Sequence, residues 1–288
     1  MVKIISDSTC DLSPELLERY DVSILPLHIV LGDREFLDGK NIKPDEIYAW
    51  ADQNQTTPKT SAPSMEDAVE LMRPYVEAGQ EVVCFAISED MSTSANVMRI
   101  AADELDASNQ VFVINSQNLS TGIGLLVIEA AILAKEGKSG AQITEVIKKM
   151  IPQVRASFVV DTLEYLYRGG RCSGVAAFVG GAFKLHPTIV VENGKMLPTK
   201  KYRGKMSSVL MNYAADRETD LHHARKQRVF ITHSGCDEKL VDSVKTYLEN
   251  LHLFEEVLIT RAGGVISSHC GPGTLGILYI LDEEQTDA

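Results

Sequence analysis

Apolar positions in the first half of the chain fall in short consecutive runs rather than in alternation. Val82 to Ile87 and Val111 to Ile114 are too short for helix cores but right for strands buried on both faces. Val2 to Ile5 and Ile24 to Leu31 extend the series. Helical punctuation lies between them. Ser13-Pro14-Glu15 supplies an N-cap, a proline at the first helical position and an acidic first turn for a helix reaching about Tyr20. Lys43-Pro44-Asp45-Glu46 opens a helix ending near Gln53, and Ser64 with Asp67 three residues on fits a capping box. Further helices are predicted over Ala95 to Leu105, Thr121 to Lys135 and Ala141 to about Gln153. Strands alternating with helices predict an N-terminal doubly wound, mostly parallel sheet.

After Gln153 the pattern changes. A strand at Phe158 to Asp161 and a short helix at Leu163 to Tyr167 lead to the break Arg168-Gly169-Gly170-Arg171. Ser173 then caps an almost wholly apolar segment, Val175 to Phe183, fit to pack in a core or to line an apolar cavity. Thr188 to Val191 followed by Glu192-Asn193-Gly194-Lys195 reads as a hairpin, because Asn-Gly supplies the positive φ angles of a two-residue turn. Helices at Ser207 to Ala215 and Lys239 to Leu251, with strands at Arg228 to Thr232, Val257 to Thr260 and Leu275 to Leu281, complete a C-terminal α+β part. The expected division is 1–153 and 154–288.

Hydroxyl groups mark the candidate chemistry. Ser88, Ser92, Thr93 and Ser94 follow the Val82 strand, and in open parallel sheets the ligand crevice lies off the carboxyl ends of the strands. Thr56 to Ser64 is a long polar loop in which Ser64 has a capping duty but Thr60 and Ser61 have none, making the latter two better ligand candidates. The turn residues His269-Cys270-Gly271-Pro272-Gly273-Thr274 put an imidazole where backbone can approach a ligand.

Composition then removes several classes. A net charge of -12 over 288 residues disfavours nucleic acid and anionic membrane surfaces as partners. The one local basic group, Lys200, Lys201, Arg203 and Lys205, reads as a solvated strand or loop edge. With no secretory pattern and no apolar run near 20 residues, the expected location is cytoplasmic without integral membrane association. Five scattered cysteines lack a C-x-x-C pair, and seven dispersed histidines form no metal-binding pattern, so no metal and no cofactor are expected. Dinucleotide and phosphate-loop motifs are missing. A serine hydrolase or acyltransferase using Ser92 remains an alternative, although no G-x-S-x-G surrounds it. A regulatory interaction module is another.

Five blocks, taken in order, carry a resemblance over essentially the whole length. They are Ser6-Asp7-Ser8-Thr9, Lys59-Thr60-Ser61-Ala62-Pro63-Ser64, Ser88 to Ser94, Asp161 to Gly174 and His269 to Thr274. Together they resemble the DegV family of bacterial fatty-acid-binding proteins. That resemblance implies a two-domain α/β protein enclosing one long-chain fatty acid, with its carboxylate held by Thr60 and Ser92. It also implies presentation of the acid to an ATP-dependent fatty-acid kinase that phosphorylates the carboxylate, the chain itself being a carrier with no catalytic residues of its own. Ser61, Ser94, Arg171 and His269 are carried over as ligand-binding or partner-facing residues. Thr93 stands where the family has glycine, and Ala95 where it has an aromatic residue.

Overall fold

The computed structural model describes residues 2–172 and 185–282. Its first half runs β1 (Lys3–Asp7), α1 (Pro14–Tyr20), β2 (Val22–Leu25), β3 (His28–Leu31), β4 (Arg34–Leu37), α2 (Pro44–Asn54), β5 (Lys59–Ser61), α3 (Met65–Glu77), β6 (Val82–Ala86), α4 (Ser94–Glu104), β7 (Val111–Asn115), α5 (Thr121–Lys135) and α6 (Gly140–Met150). The second half runs β8 (Val154–Val159), α7 (Glu164–Gly169), β9 (Leu185–Glu192), β10 (Lys195–Arg203), α8 (Met206–Asp216), α9 (Glu218–Leu221), β11 (Arg228–His233), α10 (Glu238–Asn250), β12 (Glu256–Arg261), α11 (Gly264–Cys270) and β13 (Leu275–Ile280).

The predicted parallel sheet is present, in the order β2-β1-β6-β7. Successive side chains point to opposite faces, and both faces are covered. Ile5, Val82, Cys84 and Ala86 pack with Met72 of α3 and Met98 of α4, whereas Ile4, Val83 and Phe85 pack with Ile123 and Leu126 of α5. This is why the strands read as unbroken apolar runs. From β1 the chain moves to β2 on one side, and from β6 to β7 on the other. The carboxyl ends of β1 and β6 therefore diverge, leaving a crevice at the point where strand order reverses. The Asp7 carboxylate bridges it by accepting from the backbone N–H of Ile87 at 2.9 Å.

Two expectations for this half need correction. The strand expected over Ile24 to Leu31 is two strands in two sheets, because Pro26 lacks a backbone N–H and ends the ladder. Its second part, β3, forms a small antiparallel sheet of order β4-β3-β5. The supposed loop at Thr56 to Ser64 accordingly contains a strand, with Thr60 opposite Ile29. Long-range pairing has overridden its polar sequence.

The second half builds a six-stranded mixed sheet, β10-β9-β8-β13-β11-β12. Asn193 and Gly194 turn the predicted hairpin at φ 48° and 80°. α8 and α10 cover one face of this sheet through Leu210, Tyr213, Val244 and Leu248. α5 contacts strands of both larger sheets. Eleven of its fifteen residues are buried, which accounts for a helix that is apolar all round. The segment Val175 to Phe183 lies outside the described residues.

Candidate functional site

A cavity of about 420 Å³ lies beyond the carboxyl end of β6. That volume is within the range of roughly 300–1,000 Å³ typical of small-molecule sites. The first half of the chain contributes Leu27, residues 60–62, the turn after β6 and Leu119 to its wall; the second half contributes Arg171, Met196 and one face of α11. A smaller cavity of about 20 Å³ shares Leu119, Ile266 and Cys270 with it and is lined further by Phe158, Gly276 and Leu278. The shared wall is apolar. The polar side chains Thr60, Ser61, Ser92, Arg171 and His269 belong to the larger cavity alone.

β5 and α11 bring Thr60 and His269 together, with Oγ1 and Nε2 2.8 Å apart. Burial, helped by the charge of Arg171, pushes the His269 imidazole down to about 4, so it is uncharged at neutral pH. Among the described residues its Nδ1 has no hydrogen-bond partner. If the proton sat on Nδ1, a buried N–H would be left unpaired, whereas a proton on Nε2 leaves only a bare lone pair. The second tautomer is favoured. Thr60 then accepts from His269 and keeps its own O–H for a ligand. α7 ends against the same ring: a Cβ on Gly169 would lie 2.5 Å from Nδ1, so this position needs glycine.

Ser92 occupies the turn into α4. Its Oγ lies 2.9 Å from Ser94 Oγ and accepts from the Ser94 backbone N–H at 3.3 Å. Ser94 is buried behind Ser92 and supports it. The Ser88 hydroxyl is not available, since it donates to the carbonyl of Gly194 at 2.7 Å and ties the β9–β10 hairpin to the turn. Thr93 sits at φ -90°, ψ 12°, a conformation open to any L residue, so replacing glycine there strains nothing. Ala95 is fully buried beside Met98.

Arg171 is exposed at the cavity wall and donates to the carbonyl of Gly169 at 2.7 Å, while Ser61 is exposed at the end of β5. Glu89 and Asp90, which the sequence reading did not single out, also line the cavity. Arg99 pairs with Glu89 at 2.6 Å, and Lys195 stands 3.6 Å from Asp90. His269 belongs to a helix rather than to the glycine-proline turn that was expected. The two glycines and two serines of Gly263 to Ser268 are poor helix formers, so propensity gives no signal for α11.

Chemically, the site offers uncharged O–H donors beside an apolar wall. Such donors suit an anionic oxygen group attached to a hydrocarbon. Ser92 engages Ser94 and not His269, so the two do not form a nucleophile and base pair.

The fold is a mixed α/β architecture with a ligand-sized cavity lined from both halves. The chain belongs to the DegV family: residues 1–282 match the family described as "Uncharacterised protein, DegV family". It is 31% identical over 284 residues to a fatty acid-binding protein of Thermotoga maritima, with 96% of each chain covered. Among solved structures it is similar to a fatty-acid-binding DegV family protein from Thermus thermophilus, with a TM-score of 0.89, 29% identity, and 98% of this chain and 99% of that chain covered. A stearic acid-binding protein from Eubacterium ventriosum superposes with a TM-score of 0.86 at 30% identity, covering 99% of each chain. No helix among the described residues is long and apolar enough to cross a membrane.

Proposed function

We propose that this chain carries one long-chain fatty acid between the parts 1–153 and 154–288, with the carboxylate at Thr60 and Ser92 and the tail against Leu119, Ile266 and Cys270. The observation that carries this reading is the joining of hydroxyl donors and an apolar wall in one cavity, with a smaller apolar cavity on the far side of that wall. Parting of the shared side chains would extend the cavity to accept a longer tail. Relatives described as fatty-acid-binding support the choice of ligand.

The energetics agree. Burying about 14 methylenes at roughly 0.8 kcal/mol each gives about 11 kcal/mol gross, against roughly 1.5 to 3 kcal/mol for a hydrogen bond to a charged head. The tail supplies affinity and the head supplies orientation. Neutral hydroxyls offset the cost of taking the carboxylate out of water while leaving one of its oxygens able to attack phosphorus. A carrier that presents the carboxylate to an ATP-dependent kinase fits this arrangement, with exposed Arg171 and Ser61 facing the partner. Thr60→Ala combined with Ser92→Ala is expected to purify folded but without lipid; a normal lipid content in the double variant would overturn the head-group assignment.

A further inference from the structure

The head-group pair Thr60 and His269 sits on β5 and α11, two short elements from opposite ends of the chain. Neither holds its own place. α11 begins at Gly264, and the N–H groups of its N-cap and of its first residue are taken by carboxyl groups of the first half: Gly263 donates to Asp11 Oδ1 at 2.8 Å and Gly264 to Asp38 Oδ1 at 2.7 Å. A Cβ on Gly264 would lie 2.9 Å from that Asp38 oxygen and 2.6 Å from Ile29, so the Gly-Gly start is what admits so close an approach. The other oxygen of Asp38 accepts from Ser8 Oγ at 2.8 Å, and Ser8 Oγ in turn accepts from the Leu27 N–H at 3.1 Å. The backbone N–H of Asp38 donates to the Leu27 carbonyl at 2.9 Å. Leu27 enters β3, whose Ile29 is paired with Thr60.

One buried carboxylate therefore grips both elements. We infer that Asp38, with Asp11 as a second prong on α11, is a positioning residue that sets the His269 imidazole against the Thr60 hydroxyl and so prepares the head-group site. It touches no ligand. Asp11 ties the deeper wall to the same helix, since its second oxygen accepts from Ser120 Oγ at 2.5 Å beside Leu119. Ser120 stands at φ 53°, ψ -145°, which a non-glycine residue holds only when fixed by its neighbours. Burial raises both carboxyls above the usual range, a destabilising placement that a fold tolerates where the groups organise others.

The test uses the full chain in two arms. The first arm needs no fatty acid: the imidazole ¹⁵N signals of His269, assigned by their loss in His269→Gln, are followed with pH in wild type, Asp38→Ala and Asp38→Asn. In Asp38→Ala the titration midpoint is expected to rise from about 4 toward 6.5, and in the isosteric Asp38→Asn to stay near the wild-type value. The second arm rests on the proposed function. Affinity for palmitate is expected to fall about tenfold in Asp38→Ala, the effect of one misplaced charge-assisted hydrogen bond, and to recover in Asp38→Asn. Affinity for hexadecanol, which has the tail without the carboxylate, is expected to hold. A folded Asp38→Ala with wild-type imidazole signals overturns the inference, as does an equal loss of both ligands. If Asp38→Ala does not fold, Ser8→Ala, which removes the side-chain bridge from Asp38 to the Leu27 N–H and leaves the Asp38 N–H on the Leu27 carbonyl, is read in the same two arms, and wild-type imidazole signals with wild-type palmitate affinity overturn the inference. If the wild type binds no palmitate, the proposed function fails and the imidazole arm alone decides the positioning role.

Discussion

The two sides of the cavity are built on opposite principles. On the apolar side Leu119, Ile266 and Cys270 are buried side chains shared with a second small cavity, and they belong to one hydrophobic cluster reaching from the parallel sheet to the mixed sheet. On the polar side Thr60, Ser92 and His269 are only partly buried and depend on a few directional bonds. The first side gains free energy in proportion to area and tolerates small shifts. On the proposed function, the second contributes less but would fix where the carboxylate stands. The proposed carrier role, holding a tail and displaying a head, would draw on both.

The strongest way to break this comparison is to shorten the tail. Removing eight methylenes from a bound acid is expected to cost about 6 kcal/mol at roughly 0.8 kcal/mol each. A chain-length series measured by titration calorimetry checks this, and an affinity indifferent to length would deny the apolar side its role. Next in size is the head. Thr60→Ala with Ser92→Ala is expected to weaken acid binding by about 3 kcal/mol, roughly a hundredfold, while leaving the binding of the matching alcohol nearly unchanged.

His269 sharpens the comparison through pH. Its folded-state value near 4 lies below the ordinary 6.5, so the native state binds fewer protons than the unfolded state between those values. Its contribution is present above 6.5 and lost as pH falls through 4. For a partly exposed ring this amounts to roughly 2 kcal/mol, and His269→Gln is expected to remove that acid-side slope from denaturant-unfolding curves. Asp11 acts with the opposite sign: burial raises it to about 8, so its contribution is present below 3.8 and lost as pH rises through 8. The difference between wild type and His269→Gln isolates the histidine. The smallest effect is structural. Gly194→Ala puts a side chain at φ 80° with its Cβ 2.6 Å from Ser88 Oγ, and is expected to lower stability by about 1 kcal/mol and loosen the hairpin from the turn carrying Ser92.

The same contrast governs what could be read from sequence. Val82 to Ala86 and Val111 to Asn115 announce themselves because both faces of their sheet are buried, and Ser13 and Ser64 cap the helices they appear to cap. Ser64 nevertheless departs from the expected box, since its hydroxyl donates to the Asp67 side chain at 2.6 Å. The hydroxyl-rich blocks around Thr60 and Ser92 were legible as candidates, and the fold brings them to one cavity. The elements that place them were not legible. β5 exists because Thr60 pairs with Ile29, and α11 is anchored by carboxylates more than 200 positions earlier in the chain. Local propensity carries no trace of such contacts. A Gly-Gly pair ahead of Val265 was the available clue, since adjacent glycines often mark close backbone approach.

The central claim, that the cavity holds one fatty acid, is tested most directly by mass spectrometry of the purified chain under native conditions, followed by denaturing extraction of its small-molecule fraction. The account predicts one equivalent of a long-chain fatty acid, released on denaturation. A chain that emerges empty and does not take up added palmitate would contradict it.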